Sequence, residues 1–202
     1  MDGSGMWAEQ AALRAEARGV YEDLALGGLL ERVGTPAVVG SAALGVMVRR
    51  DLDVDVTCER LDEATATAVA EAGARLATHP RVRTVTFRDD RGEWNREPDR
   101  YPDGLYLGVE CRTPTGAVWN LDVWFLDDPG RQPSTAHLAT LLPRLTDGSR
   151  RTVLEIKRAW AGRPEYGTSV SGIDVYRAVL DDGVGDPAQF EDWVRRRTNS
   201  RD

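Results

Sequence analysis

Cysteine and histidine are scarce. The 202 residues hold two cysteines, Cys58 and Cys111, and two histidines, His79 and His137. Two cysteines cannot build a disulfide framework, and no zinc-like spacing exists. Two histidines make a zinc centre or a histidine-based triad improbable. Both cysteines read as small buried residues of a cytoplasmic protein. Long apolar runs are missing too. Charge interrupts each one, so nothing could span a membrane. Residues 1–5 have neither the basic nor the apolar region of a signal peptide. Positive charge is in deficit, with 26 Lys and Arg against 33 Asp and Glu and a net charge of −7. That disfavours an extended nucleic-acid surface.

What is present suits a soluble globular protein: 41% hydrophobic and 29% charged residues, enough for a real core. Residues 6–32 read as a helix with Leu24, Leu26, Leu29 and Leu30 on one broad face, stopped by Gly34-Thr35-Pro36. Ala37-Val38-Val39 is a short β-branched run ending at Gly40. Residues 42–48 read as a short helix with Ser41 as its N-cap. A strand over 51–57 follows, then a helix over 61–78 with Asp62 as a cap and Pro80 beyond it. Residues 82–87, 105–112 and 117–126 are strand-like, with a polar loop over 89–102 and a turn at 113–116. Helical patterns fill 134–145, 150–161, 172–180 and 187–197. The fold class expected is α+β. Four strands form a mixed, partly antiparallel sheet with flanking helices, and a helical C-terminal region follows. The boundary falls near Pro129, giving units 1–130 and 131–202. No internal repeat is visible.

The chemistry concentrates in Asp51-Leu52-Asp53-Val54-Asp55. Side chains alternate along a strand, so the three aspartates share a face. Like charges so placed make sense around a divalent metal. Asp-x-Asp-x-Asp also opens a calcium-binding EF-hand loop, but Val56 stands where that loop needs glycine. Asp51 and Asp53 suffice as ligands from one strand, and Asp55 is expected in solvent at its end. Gly40 lets backbone approach a phosphate, and Ser41 can donate through its hydroxyl. A further ligand should come from a neighbouring strand, either Glu110 or Asp122. An even-length hairpin loop would put these two on opposite faces. Asp122 is preferred, because a carboxylate within Val118-Trp119-Asn120-Leu121-Asp122-Val123-Trp124-Phe125 is harder to excuse. Trp119, Trp124, Trp160 and Trp193 read as core, and only Trp94, in the polar loop, is considered for substrate contact. Lys157 and Arg158 could reach a phosphate from the helical tail, but a solvated helix face is the preferred reading, and Arg195-Arg196-Arg197 read as a frayed basic end.

Gly40-Ser41, a gap of nine residues, Asp51-Leu52-Asp53-Val54 and a later strand bearing Asp122 resemble the nucleotidyltransferase superfamily that includes DNA polymerase beta. The resemblance covers roughly residues 35–126 and is nearest to small bacterial antibiotic or minimal nucleotidyltransferases. It implies metal ligation by Asp51, Asp53 and Asp122, with two Mg²⁺ ions. It also implies triphosphate contacts from Gly40 and Ser41, and transfer of a nucleoside monophosphate from an NTP to an acceptor hydroxyl. ATP is the expected nucleotide, and a small molecule or a protein the expected acceptor. The sequence departs from the pattern where Ala42-Ala43 follow Ser41, at a place many members give to arginine. Arg49 or Arg50 is the candidate substitute. A rival reading keeps the fold as a binding protein without the chemistry.

Overall fold

The computed structural model describes residues 3–199, so Met1 and Asp2 of the signal-peptide reading lie outside it. The elements run α1 (Gly3–Asp23), α2 (Leu26–Leu30), β1 (Thr35–Val38), α3 (Gly40–Leu44), β2 (Asp51–Thr57), α4 (Glu63–Ala77), β3 (Val82–Asp90), β4 (Gly104–Arg112) and β5 (Val118–Leu126). Then come α5 (Pro133–Leu141), α6 (Asp147–Trp160), α7 (Gly172–Leu180) and α8 (Pro187–Asn199). The α+β class and the mixed sheet are as expected from the sequence. The sheet has five strands rather than four, in the order β1-β2-β5-β4-β3. The added strand is β1, which takes in Ala37 and Val38 of the short β-branched run and pairs antiparallel with β2.

The first helix is not continuous. The chain turns at Ala25, which takes a left-handed conformation with φ of 49°. Leu24, Leu26 and Leu30 are all buried under the sheet, and a straight helix is given up to seat them. Helix α4 begins where expected, with Asp62 Oδ1 accepting from the Thr65 amide at 3.0 Å, a side-chain N-cap. The pattern over 134–145 divides into α5 and a 3-10 turn, Leu142–Arg144. Pro143 sits in that turn, lacking the N–H that a continuing helix requires.

One face of β2, β4 and β5 carries Leu52, Val54, Val56, Leu105, Leu107, Val109, Trp119, Leu121, Val123 and Phe125, all buried against α1, α2 and α4. A second apolar cluster joins Met6 and the 44–46 segment to α6, α7 and α8 through Leu154, Ile156, Trp160, Val175 and Phe190. Helix α6 starts on a capping box made by Thr146 and Ser149, which secures two otherwise orphaned backbone donors. Arg197, expected at a frayed end, instead ion-pairs with Asp174 and lies over the Trp193 ring at 5.1 Å. Trp160 is core, as expected, in edge contact with Phe190 at 5.1 Å.

Candidate active site

Strand alternation sends the apolar residues of β2 to the core, so Asp51, Asp53 and Asp55 face the other way. β5 runs parallel to β2 with Asp53 opposite Asp122 and Asp51 opposite Asn120. Ligand atoms of Asp51, Asp53 and Asp122 all lie within 4.8 Å of one another. The hairpin register corrects the argument that selected Asp122. Arg112 pairs with Val118 and Glu110 with Asn120, so the loop has an odd length. Glu110 therefore shares the face of Asp122. It stands on β4, one strand further from β2 than Asp122, and pairs with Arg83 at 3.1 Å.

Burial and mutual repulsion oppose ionisation here. The Asp51 carboxyl is pushed up to about 6, first by burial and then by the charge of Asp122. Asp53 is pushed up to about 7 by burial, then by Asp51 and Asp122. Acids perturbed in this way around a shared point are suited to a cation, which would reverse both effects. The donor set, three hard carboxylates, fits Mg²⁺.

Gly40 takes φ of 61°, and a Cβ there would collide with Asp53 Oδ2. The adjoining Val39 amide donates to the Asp53 carbonyl at 3.0 Å, which draws this turn onto β2. Gly40 and Ser41 line the same cavity as Asp51 and Asp53. The N-cap of α3 is Val39 rather than Ser41, and it makes no side-chain cap bond. Ser41 lies one position inside the helix.

Asp55 is not in solvent. It is 3% exposed, and its Oδ2 accepts from Ser134 Oγ at 2.6 Å and Thr135 Oγ1 at 2.8 Å. The segment entering α5 covers the strand end, which sequence distance hid. Burial raises its pKa, and the bonds from Ser134 and Thr135 partly counter that. Trp124 is not core either. It lines the cavity, with its ring 5.0 Å from Tyr106, because an odd shift from Trp119 along β5 places it on the carboxylate face. The Tyr106 hydroxyl donates to Asp122 Oδ1. Gly108 makes room for this: a Cβ there would stand 2.6 Å from the Tyr106 hydroxyl oxygen. Burial and the Asp122 charge hold the Tyr106 phenol well above its ordinary value.

Lys157 belongs to the cavity, against the preferred reading of its helix face. Expected on a solvated face, it is 5% exposed. Its Nζ donates to the Val46 carbonyl at 2.8 Å and to the Tyr176 hydroxyl at 3.4 Å, and it lines the aspartate cavity. Burial lowers its pKa to about 8, against the pull of Asp53 and Asp51. One signal could have found it: it is the only lysine in a chain whose other side-chain cations are all arginine. Arg158 beside it does stay on the outer face, paired with Glu9. Of the two substitute arginines, Arg49 lines the cavity and lies over Tyr166 at 4.8 Å. Arg50 pairs with Glu16 at 2.8 Å instead.

No protein-family model matches this chain, and no curated protein matches it. Solved structures do. Cid1 poly(U) polymerase bound to MgATP superposes with a TM-score of 0.59 at 16% identity, over 88% of this chain and 54% of that one. Cid1 with its short product ApU gives 0.58 at 17% identity, over 88% and 53%. A cytoplasmic RNA terminal U-transferase gives 0.53 at 17% identity, over 83% and 47%. The chain thus spans about half the length of these proteins. With their sheet, its flanking helices and the likeness over most of its length, this chain has the nucleotidyltransferase-type fold.

Proposed function

We propose that the protein is a Mg²⁺-dependent nucleotidyltransferase that moves a nucleoside monophosphate from an NTP, ATP by preference, to an acceptor hydroxyl. The observation that carries this reading is the convergence of Asp51, Asp53 and Asp122 within 4.8 Å, against a glycine turn too close to Asp53 for any side chain. In the reaction the acceptor oxygen bonds to the α-phosphorus, the bond from that phosphorus to the bridging oxygen of the β-phosphate breaks, and pyrophosphate leaves. Asp51, Asp53 and Asp122 would hold the metal ions, which when bound supply positive charge to the triphosphate and to the charge developing on it.

The chain's own groups divide the remaining work. Gly40 and Ser41 admit the phosphates to the backbone. Lys157 and Arg49, which line the same cavity, supply cationic donors from the helical side. Arg49 stands in for the arginine absent after Ser41. Tyr106 occupies Asp122 Oδ1, leaving the other carboxylate oxygen to take the acceptor's proton. The helical region 131–202 serves as the wall of the cleft through Gln132, Ser134, His137 and Lys157. The Cid1 enzymes are poly(U) polymerases, so an RNA end is one acceptor to test beside small molecules and proteins.

Calorimetry with Mg²⁺ and a non-hydrolysable ATP analogue tests the reading. Wild type should bind the analogue only with Mg²⁺, and Asp51→Asn should abolish that dependence. Equal binding by the variant would sink the proposal. Labelled NTPs offered with candidate acceptors then identify the transfer.

A further inference from the structure

Beyond the aspartate cavity, a second trough runs along the same sheet face toward the edge strand β3. It is lined by Trp94 and by Arg88, Asp90 and Arg96, among others. Trp124 and Tyr101 line both cavities, so the two meet there. The cationic groups Lys157 and Arg49, with Ser41, line only the first. Asp122 connects to the second: its partner Tyr106 packs on Trp124 at 5.0 Å. The arrangement has a phosphate side and, across Asp122, a side whose Arg88 is already engaged by Asp90 at 2.7 Å.

We propose that this trough is the acceptor subsite, and that it takes a compact, phosphate-free molecule bearing a flat unsaturated ring system and a hydroxyl. The proposal rests on the transferase reading. Trp94 is 72% exposed, an indole that folding leaves in water, and aromatic faces so placed stack rings. Its loop is built rather than slack. Asn95 Nδ2 donates to the Tyr101 carbonyl and to Asp103 Oδ1, each at 3.1 Å. The Gly92 amide donates to Asp103 Oδ2 at 2.9 Å, and Arg131 Nη2 to the Pro98 carbonyl at 2.6 Å. Charge decides the ligand class. The three lining acids are each paired, Asp90 with Arg88 at 2.7 Å, Asp89 with Arg91 at 2.7 Å and Glu97 with Arg100 at 3.6 Å, which leaves Arg96 as the one lining cation outside these pairs. A polyanion needs a run of such cations. A neutral ring does not.

The test loads the protein with Mg²⁺ and a saturating non-hydrolysable ATP analogue, so that the nucleotide side is filled. Adenosine and an oligoadenylate are then titrated separately into wild type, Trp94→Ala and Trp94→Phe. Adenosine should bind wild type, bind Trp94→Ala about ten-fold more weakly, and bind Trp94→Phe nearly as well as wild type. The oligoadenylate should bind no tighter than adenosine. The proposal is overturned if adenosine does not bind the loaded wild type, or if Trp94→Ala binds it unchanged. It is equally overturned if the oligoadenylate binds far more tightly with steep salt dependence. Analogue binding reports separately on the transferase reading. Its absence from wild type removes that reading, whereas its presence in all three proteins leaves the adenosine result to judge the trough alone.

Discussion

The Asp53→Asn variant should be more stable than wild type when metal is withheld. The Asp53 carboxyl rises from 3.8 to about 7 on folding, so the folded state disfavours its charged form. The sign follows from linkage. Stability from this group is complete below the unfolded value of 3.8 and is lost as pH rises through about 7. A shift of roughly three units corresponds to about 4 kcal/mol once the group is fully ionised. Asparagine keeps the shape and removes the charge, and it also relieves the repulsion acting on Asp51. At pH 8 in chelator the variant should therefore gain up to about 4 kcal/mol, and at pH 5 less than half of that. For a chain of this size, each kcal/mol moves Tm by about 2–4 °C. The assay is thermal unfolding of both proteins at the two pH values, with EDTA and then with excess Mg²⁺. Mg²⁺ should raise the Tm of wild type and leave the variant almost unmoved. A variant no more stable than wild type at pH 8 in EDTA refutes the reasoning, as does a difference that fails to shrink at pH 5.

Two further predictions concern the frame of the site. Gly40→Ala places a side chain at φ of 61° and against Asp53 Oδ2. It should cost about 1–3 kcal/mol in urea unfolding and weaken Mg²⁺-dependent analogue binding at least ten-fold by calorimetry; unaltered binding would show that this turn is not where the phosphates approach. Asp55→Ala removes the acceptor shared by Ser134 and Thr135, with an expected loss of about 1–3 kcal/mol and a smaller loss for Asp55→Asn. A urea midpoint equal to that of wild type would mean that the contact does not tie α5 to the sheet.

The parts legible in the sequence were those set by local periodicity. β2 begins and ends where the alternation of Asp and Val places it, and α4 starts on the Asp62 cap, because both patterns act within a few residues. Asp122 was found through the cost of a charge in an apolar strand, a property of the residue's surroundings. The hairpin register offered in its support was wrong by one residue. The odd-length loop puts Glu110 on the same face, and what separates it from Asp122 is its place on β4, one strand further from β2, together with its pairing to Arg83. Trp124 was legible from strand parity alone, since an odd shift from Trp119 along β5 puts it on the other face. Asp55 and Lys157 were misplaced for one physical reason. Each owes its environment to an element distant in the chain: the α5 entry for Asp55, and the 44–46 segment and α7 for Lys157. Hydropathy within a segment carries no record of such partners. The break at Ala25 escaped similarly, since residues of good helical propensity surround it and burial of Leu26 and Leu30 decides the path.

The solitary lysine gives the protein a built-in reporter. Because Lys157 holds the only ε-amine in the sequence, a lysine-directed acylating reagent has one internal address, set among the aspartates. With its pKa lowered to about 8, a large share of that amine is uncharged and nucleophilic in mildly alkaline buffer, once the reagent can reach it. The rate at which the Lys157 adduct forms, resolved from any α-amine adduct by peptide mapping, then measures how open the cleft is. No probe has to be engineered to follow nucleotides, metal ions or acceptors entering and leaving it.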